Sequence, residues 1–387
     1  MMRSVPAPLL DRRALNRALL ERQMLLRRAP VRIGDAVERL LGLQAQAPMP
    51  PYYGLWSRLA GFDPHELGRM LTDREVVRLT LMRGTVHLVT VRDALLLRPL
   101  VQGVIERGFD GAFKRRMGGA DVAQLAAAVR ELLADGTPLT ARELARRLVE
   151  RGIGDDVEAI GNATRVHVPL VQVPPRGVWG AGGQVRYATI EAWTGRELEA
   201  EPPVEEVVLR YLRAFGPASV MDVQSWSGLT RLRGVLERLR PSLCTFRAED
   251  GRELFDLPDA PRPDPEVPAP PRFLGEFDNV LLGHADRRRV IPDGASWGAM
   301  LAPGRSVGNL LVDGMLRATW WLERDGTRRA TLVIRPFGAL SSAERDEVAG
   351  EAVRAFAAAL RTRRFPRDGL APAVRAHEVL DAAVSVG

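Results

Sequence analysis

Three times along this chain a group of short helical segments runs into a pair of strands, and that recurrence limits the fold more than any other feature. In the first group, Asp11 to Arg28 reads as a helix with Leu15, Leu19 and Leu26 on one side. Asp35 and Glu38 imitate a capping box for the next helix. A third helix covers roughly Tyr52 to Leu59, and Asp63-Pro64-His65-Glu66 supplies a cap, a first-turn proline and a carboxylate for a fourth. Val77, Leu79 and Leu81 then alternate with Arg78, Thr80 and Met82. Gly84 permits a turn, and Thr85 to Thr90 reads as the return strand.

The layout repeats with little sequence likeness. Leu125, Val129 and Leu132 line one helix, Thr140 and Glu143 box the start of a second that Gly152 closes, and a third spans about Asp156 to His167. Val168 to Val173 and Val185 to Ile190 follow as strands around a turn at Pro174-Pro175-Arg176-Gly177. In the third group Val204 to Phe215 is amphipathic, Ser219 and Asp222 cap a short helix, and Thr230 caps Arg231 to Arg240. Ser242 to Arg247 and Arg252 to Leu257 pair across Asp250-Gly251, a strong hairpin signal. Helices followed by a hairpin have the layout of a winged helix.

Pro258 to Pro271 holds seven prolines in fourteen residues, the composition of a stiff extended connector. Beyond it Asn309 to Val312, Met315 to Arg324 and Thr327 to Phe337 read as strands separated by Asp-Gly turns, before a helix that Ser341 and Glu344 start. Val348, Ala352, Phe356 and Leu360 form its core stripe, and Arg361, Arg363 and Arg364 make its last turn basic. The expected class is α+β: three tandem winged-helix units at 1–120, 121–200 and 201–257, the connector 258–271, and a β-rich, barrel-like C-terminal domain with a terminal helix at 272–387.

Gln44-Ala45-Gln46 is the feature richest in chemistry. Val37, Leu40, Leu41 and Gln44 share helical spacing, so Gln44 prolongs a buried stripe. Pro48 biases Ala47 out of the α region and ends that helix near Ala45 or Gln46. Both amides can then face one cleft. A buried amide left unpaired costs about 1–3 kcal/mol, so each is either a hydrogen-bonded cap or part of a site.

A chain of 387 residues with 46% hydrophobic and 27% charged content fits a soluble globular protein of several small domains. It has no apolar run long enough to span a membrane and no signal-peptide core, which sets cytoplasmic residence as the expectation. Cys244 is the sole cysteine, and His65, His87, His167, His284 and His377 are scattered, so neither a disulfide framework nor a metal site is expected. His284 and Asp286 invite an acid–base reading against that of a structural hydrogen bond. Trp226, Trp297, Trp320 and Trp321 read as core.

Net charge is +7, and Lys114 is the only lysine. The balance suits a polyanionic partner, and the arginine skew equally suits a GC-rich genome. Clusters say more. Lys114-Arg115-Arg116 and Arg287-Arg288-Arg289 are the tightest. Arg176 stands at a hairpin tip, Arg231, Arg233, Arg238 and Arg240 follow one helix, and Arg83 and His87 border the first hairpin. Phosphate contacts are the first assignment for these positions, with a solvated arginine face as the alternative.

Six segments in order resemble the AlkZ-like and YcaQ-like winged-helix DNA glycosylases: GLQAQ at 42–46, GLWSRL at 54–59, LMRGTVHLVT at 81–90, VPLVQVPPRGVWG at 168–180, GPASVMDVQSWSGL at 216–229 and EFDNVLLGHADRRRVI at 276–291. The resemblance implies a scaffold that embraces damaged double-stranded DNA, needs no cofactor or obligatory protein partner, and excises N7-alkylated guanines. Gln44 and Gln46 match both positions of the catalytic Gln-x-Gln motif, which implies the AlkZ-like branch associated with crosslink unhooking and self-resistance to DNA-alkylating natural products. The alternatives are a non-catalytic winged-helix regulator or lesion sensor, and a glycosylase confined to small N7-methylguanine lesions.

Overall fold

The computed structural model describes residues 7–110, 113–293, 307–325, 329–361, 373–376 and 380–385. Fourteen strands among these make three sheets. The central sheet has five: β2 (Leu43–Gln44), β3 (Val76–Thr80), β4 (Val86–Thr90), β5 (Leu170–Gln172) and β6 (Tyr187–Thr189), in the order β2-β4-β3-β5-β6. A small sheet joins β1 (Leu9–Leu10), β7 (Cys244–Ala248) and β8 (Glu253–Asp256). The C-terminal sheet runs β14-β13-β12-β11-β10-β9, from Leu380–Ser385 through Ala373–Ala376, Arg329–Pro336, Met315–Asp325 and Gly308–Val312 to Arg272–Leu274.

Local signals carried much of this. Asp63 caps the helix Pro64–Thr72 through His65 N. Thr140–Glu143 and Ser219–Asp222 form complete capping boxes, and Asp156 caps Val157–His167. Ser341 and Glu344 exchange bonds at the start of Ser342–Arg361, where Val348 and Ala352 are buried. Phe356 and Leu360 have no described side chains, and Trp297, Arg363, Arg364 and His377 lie outside the described residues.

Several expectations are corrected. The first helix stops at Arg22, and Met24 has φ 57°. Arg32 caps Ile33–Arg39 without a side-chain bond, while Asp35 pairs with Arg32 and Glu38 accepts from Thr90, so there is no capping box there. That helix ends before Gln44. Leu41 (φ 55°) and Gly42 (φ 85°) turn the chain left-handed, and Gln44 emerges on a strand. Arg231 is also left-handed (φ 62°), so the helix begins at Arg233 with Leu232, not Thr230, at its cap. The first two hairpins are joined edge to edge. β3 pairs with β5, Arg78 opposite Gln172 and Leu79 opposite Val171, which fuses them into one sheet. The C-terminal sheet is open, with β9 and β14 at its edges, where a barrel was expected.

The proline-rich connector forms no helix or strand but is tied down. Ala260 and Ala269 are buried, and its Pro261 and Val267 carbonyls accept from Arg22 and Arg17. The largest apolar core gathers Leu19 and Leu25, Val77 and Leu79 of β3, Tyr211 and Phe215, and Val290. The N-terminal helices, the central sheet and the 280–290 loop therefore share one interior, and the Gln44 strand lies at its rim.

Gly42 is the residue that this arrangement least tolerates changing. A Cβ there would stand 2.4 Å from Val89 Cγ1 and 2.9 Å from Leu88 O, in a backbone region costly for L-residues. Gly42→Ala is expected to lower unfolding free energy by about 2–4 kcal/mol, measured by chemical denaturation. A stability equal to the parent's would show that the turn is not constrained as described.

Candidate active site

The site is built on a strand edge. Leu43 faces Leu88 and Gln44 faces His87 across the β2–β4 pair, and Ala45 N donates to Val86 O at 2.7 Å. Alternation along the extended chain buries Ala45 completely on one face and leaves Gln44 on the other, 9% exposed. In an ordinary ladder Val86 N–H would be returned to the Ala45 carbonyl. Instead Arg78 Nη2 takes that carbonyl at 2.8 Å, and the side-chain oxygen of Gln46 accepts from Val86 N at 3.1 Å. Gln44 Oε1 accepts from Arg83 Nη2 at 3.0 Å, and Arg83 Nη1 donates to Trp226 O at 2.5 Å. Each amide oxygen thus keeps one lone pair, and neither amide nitrogen bonds to a described residue. Gln46 itself is exposed.

Residues that sequence reasoning missed hold this strand. Asn279 Nδ2 donates to Leu40 O and Gly42 O at 3.2 and 2.8 Å, clamping the turn ahead of Gln44. Asp278 receives both Nη groups of Arg58, which also donates to Gln23 and to Gly54 O beside Leu43. Asp278 and Asn279 stand in the segment 276–291, where the arginine run and the His284 and Asp286 pair are the features that read as functional from sequence. In sequence Arg78 is simply the polar member of an alternation. It is 2% exposed, and its Nε and Nη1 have no hydrogen-bond partner.

The side chains that hold the two amides are cationic, and no carboxylate bonds to either amide among the described residues. Burial lowers the Arg83 pKa to about 10, and Arg287 nearby adds to the effect. Burial, then the Arg176 charge, likewise lowers Arg78 to about 10. His87 lies 3% exposed, its Nδ1 2.9 Å from Thr85 O. Burial first and the Arg83 charge second push its pKa down to about 3, so it is a neutral imidazole donating through Nδ1. His284 is also buried, its Nε2 2.9 Å from Phe215 O, and its pKa is lowered to about 3 mainly by burial. The structural reading holds for it. Asp286 is held well below the usual carboxylate range, chiefly by its bond to Arg288.

The basic clusters divide. Of the 287–289 run, Arg287 approaches Arg83, Arg288 pairs with Asp250 and Asp286, and Arg289 is buried with Nη1 on Pro217 O. Arg231 and Arg233 are exposed and have no ion pair among the described residues, and their loop passes Arg83 at Gly228. Arg238 pairs with Glu205, and Arg240 with Glu237 and Glu253. Lys114, Arg115 and Arg116 lie exposed on a short 3₁₀ turn, where Arg116 pairs with Asp156 and Glu158. Arg176, half-buried, donates to Gly183 O at the second hairpin turn, near Arg78. Trp226 and Trp320 are core residues, while Trp321 is only half-buried on the other face of β11. Among the described residues no cluster of three or more His, Cys, Asp or Glu could hold a metal, and no helix is long and apolar enough to cross a membrane.

Comparison with known proteins agrees with this layout. A family model described as DNA glycosylase AlkZ-like matches residues 37–379. An interstrand DNA cross-link repair glycosylase of Streptomyces sahachiroi is 27% identical over 297 residues, 70% of this chain and 77% of the relative. The solved structure of the Streptomyces sahachiroi DNA glycosylase AlkZ superposes with a TM-score of 0.72 at 24% identity, covering 95% of this chain and all of that one. The chain belongs to the AlkZ-like family of DNA glycosylases, enzymes that hydrolyse N-glycosyl bonds.

Two buried neutral histidines give the fold a pH signature. His87 and His284 titrate near 6.5 when unfolded and have folded pKa values lowered to about 3. Between those values the unfolded chain binds more protons, so stability falls as pH drops. Denaturation is expected to show a loss of about 2 kcal/mol between pH 7 and pH 5.5, about half of it removed by His87→Asn. A flat profile over that range would mean that His87 and His284 are not held neutral.

Proposed function

We propose that this chain is a monofunctional glycosylase that excises bulky or interstrand-crosslinking N7-alkylguanine adducts from double-stranded DNA, with Gln44 and Gln46 positioning the nucleophilic water. The observation that carries the reading is a pair of neutral amides, each oxygen held by one donor and each with a spare lone pair, with no carboxylate bonded to either among the described residues. Alkylation at N7 gives guanine a formal positive charge. As the C1′–N9 bond breaks, its electron pair returns to the ring, and the base departs neutral without needing a proton. The sugar passes through an oxocarbenium-like state. A water held by the two carboxamide oxygens attacks C1′ and releases its proton to solvent. Proximity and preorganised dipoles supply the rate. Undamaged guanine or adenine would leave as an anion and is a poor substrate at such a site.

Lys114, the only lysine, sits on the 3₁₀ turn packed against Val157–His167, so a Schiff-base step is not part of the reading and the product is an abasic site. In this reading the helices and hairpins of 1–120, 121–200 and 201–257 act as winged-helix units, with Arg231, Arg233 and Arg287 meeting phosphates around Arg83. The crosslink-repair name of the Streptomyces sahachiroi relative supports the crosslink substrate, and self-resistance to an alkylating natural product is the role that fits it.

Gln44→Ala and Gln46→Ala are each expected to slow single-turnover release of N7-alkylguanine by about 100-fold or more. Gln46→Ala also leaves the Val86 N–H without its acceptor, so a loss of stability of about 1–3 kcal/mol is expected beside the rate effect, and release is measured where the variant is fully folded. Release within a few-fold of the parent in both variants ends the proposal, and tight duplex binding by the parent without any release assigns a lesion sensor instead. Charge reversal at Arg287 should weaken DNA binding and reduce the slope of log affinity against log salt by about one. An unaltered slope removes Arg287 from the interface.

A further inference from the structure

Arg22 and Arg58 are fully buried, and each forks onto a carboxylate, Asp256 or Asp278. Arg78 is almost as deeply placed and is held differently. Its one hydrogen bond among the described residues runs from Nη2 to the Ala45 carbonyl at 2.8 Å, and its buried Nε and Nη1 have no partner. The largest charge acting on it is that of Arg176, of the same sign. A guanidinium buried with two idle donors and no carboxylate bonded to it weakens a fold. Such a group is retained where it serves function more than stability.

Its position shows how it can serve. Arg78 lies opposite Leu88 and Gln172, while Leu79 and Gln44 both lie opposite His87. Alternation therefore puts Arg78 on one face of the central sheet and Gln44 with His87 on the other. Arg78 reaches the site only through the backbone. The second hairpin turn packs on it from outside. Gly177 has φ 101°, and a Cβ there would stand 3.0 Å from Arg78 Cδ and Nη1. The Gly177 carbonyl accepts from Tyr52 Oη at 2.7 Å, which fixes the turn in place.

The register of β2 on β4 carries on to Ala45 opposite Val86, a pair that can exchange two bonds. Ala45 N gives the first, to Val86 O at 2.7 Å. The second is not made: Arg78 takes the Ala45 carbonyl, and Val86 N donates to Gln46 Oε1 at 3.1 Å. We propose that Arg78 is a positioning residue for Gln46. By holding the Ala45 carbonyl it keeps the last rung of the ladder open, and the Val86 N–H left over fixes the carboxamide that orients the water. Without Arg78 the rung closes and the Gln46 side chain loses its anchor. The inference rests on the glycosylase reading above and names the group that sets Gln46 for its part in it.

A structural support and a positioning residue differ in the sign of their effect on stability. Arg78→Met fills much of the same space without charge or donors. It is expected to keep the thermal midpoint at or above the parent's. It should nevertheless slow single-turnover release from a duplex holding an N7-alkylguanine about 100-fold, as Gln46→Ala does. Arg78→Lys keeps a donor for the Ala45 carbonyl and should recover most of that rate. Added to Gln46→Ala, Arg78→Met should slow release no further, and should raise the midpoint because Val86 N–H and Ala45 O then pair with each other. A lowered midpoint in Arg78→Met, additive rate losses, no recovery in Arg78→Lys, or near-parent release by Arg78→Met while Gln46→Ala is slow each overturns the positioning role and leaves the glycosylase reading standing. Near-parent release by Gln46→Ala also removes the positioning role, and the same result in Gln44→Ala removes the reading with it.

Discussion

The left-handed turn at Leu41-Gly42 and the strand pair that follows it set the terms for the whole site. Because Leu43 to Ala45 is extended, its side chains alternate, and Gln44 leaves the core while Ala45 stays in it. Because Arg78 occupies the Ala45 carbonyl, Val86 N–H turns to the Gln46 side chain and fixes its oxygen. Arg83 does the same for Gln44 from the hairpin turn. A helix through this segment would have splayed the two amides by their spacing. The strand lets each be held by one outside donor, with its second lone pair unused among the described residues.

Arginine does more here than meet solvent. Arg17, Arg22, Arg58, Arg78 and Arg98 are among the largest fully buried side chains. Arg22 forks onto Asp256, Arg58 onto Asp278, and the partly buried Arg210 onto Asp93. These pairs join segments far apart in sequence, and the guanidinium fork suits them because it supplies several donors in one plane. Removing one partner of such a pair costs about 3–5 kcal/mol, since a buried charge is left behind. The arginine-rich composition, read from the sequence as genome bias or as a polyanion footprint, therefore also contains internal staples that no count of charges can reveal.

What the sequence disclosed was local. Caps at Asp63, Thr140, Asp156 and Ser219 and the turn at Asp250-Gly251 need only neighbouring residues, and they sit where the side-chain chemistry put them. The family match rested on several short segments in order, and it too was legible. What escaped depends on distant partners. The helical spacing of Val37, Leu40, Leu41 and Gln44 competed with one glycine, and the glycine prevailed because β4 was there to receive the strand. The joining of β3 to β5 unites residues more than ninety positions apart. Arg287, Arg288 and Arg289 look alike in sequence, yet one approaches Arg83, one is neutralised by Asp250, and one points inward to Pro217 O.

Among the described residues Arg83 donates to neutral oxygens and feels Arg287, and Arg78 is buried beside Arg176 with no carboxylate bonded to it. A lesion base that is itself cationic gains nothing from further cations, in the ground state or as charge passes to the sugar. The guanidinium groups can only assist if something anionic offsets them, and a DNA backbone brings one negative charge per nucleotide. In the proposed reaction, phosphates flanking the lesion would offset the Arg83 charge, and the neutral amides would be the groups nearest the developing sugar cation.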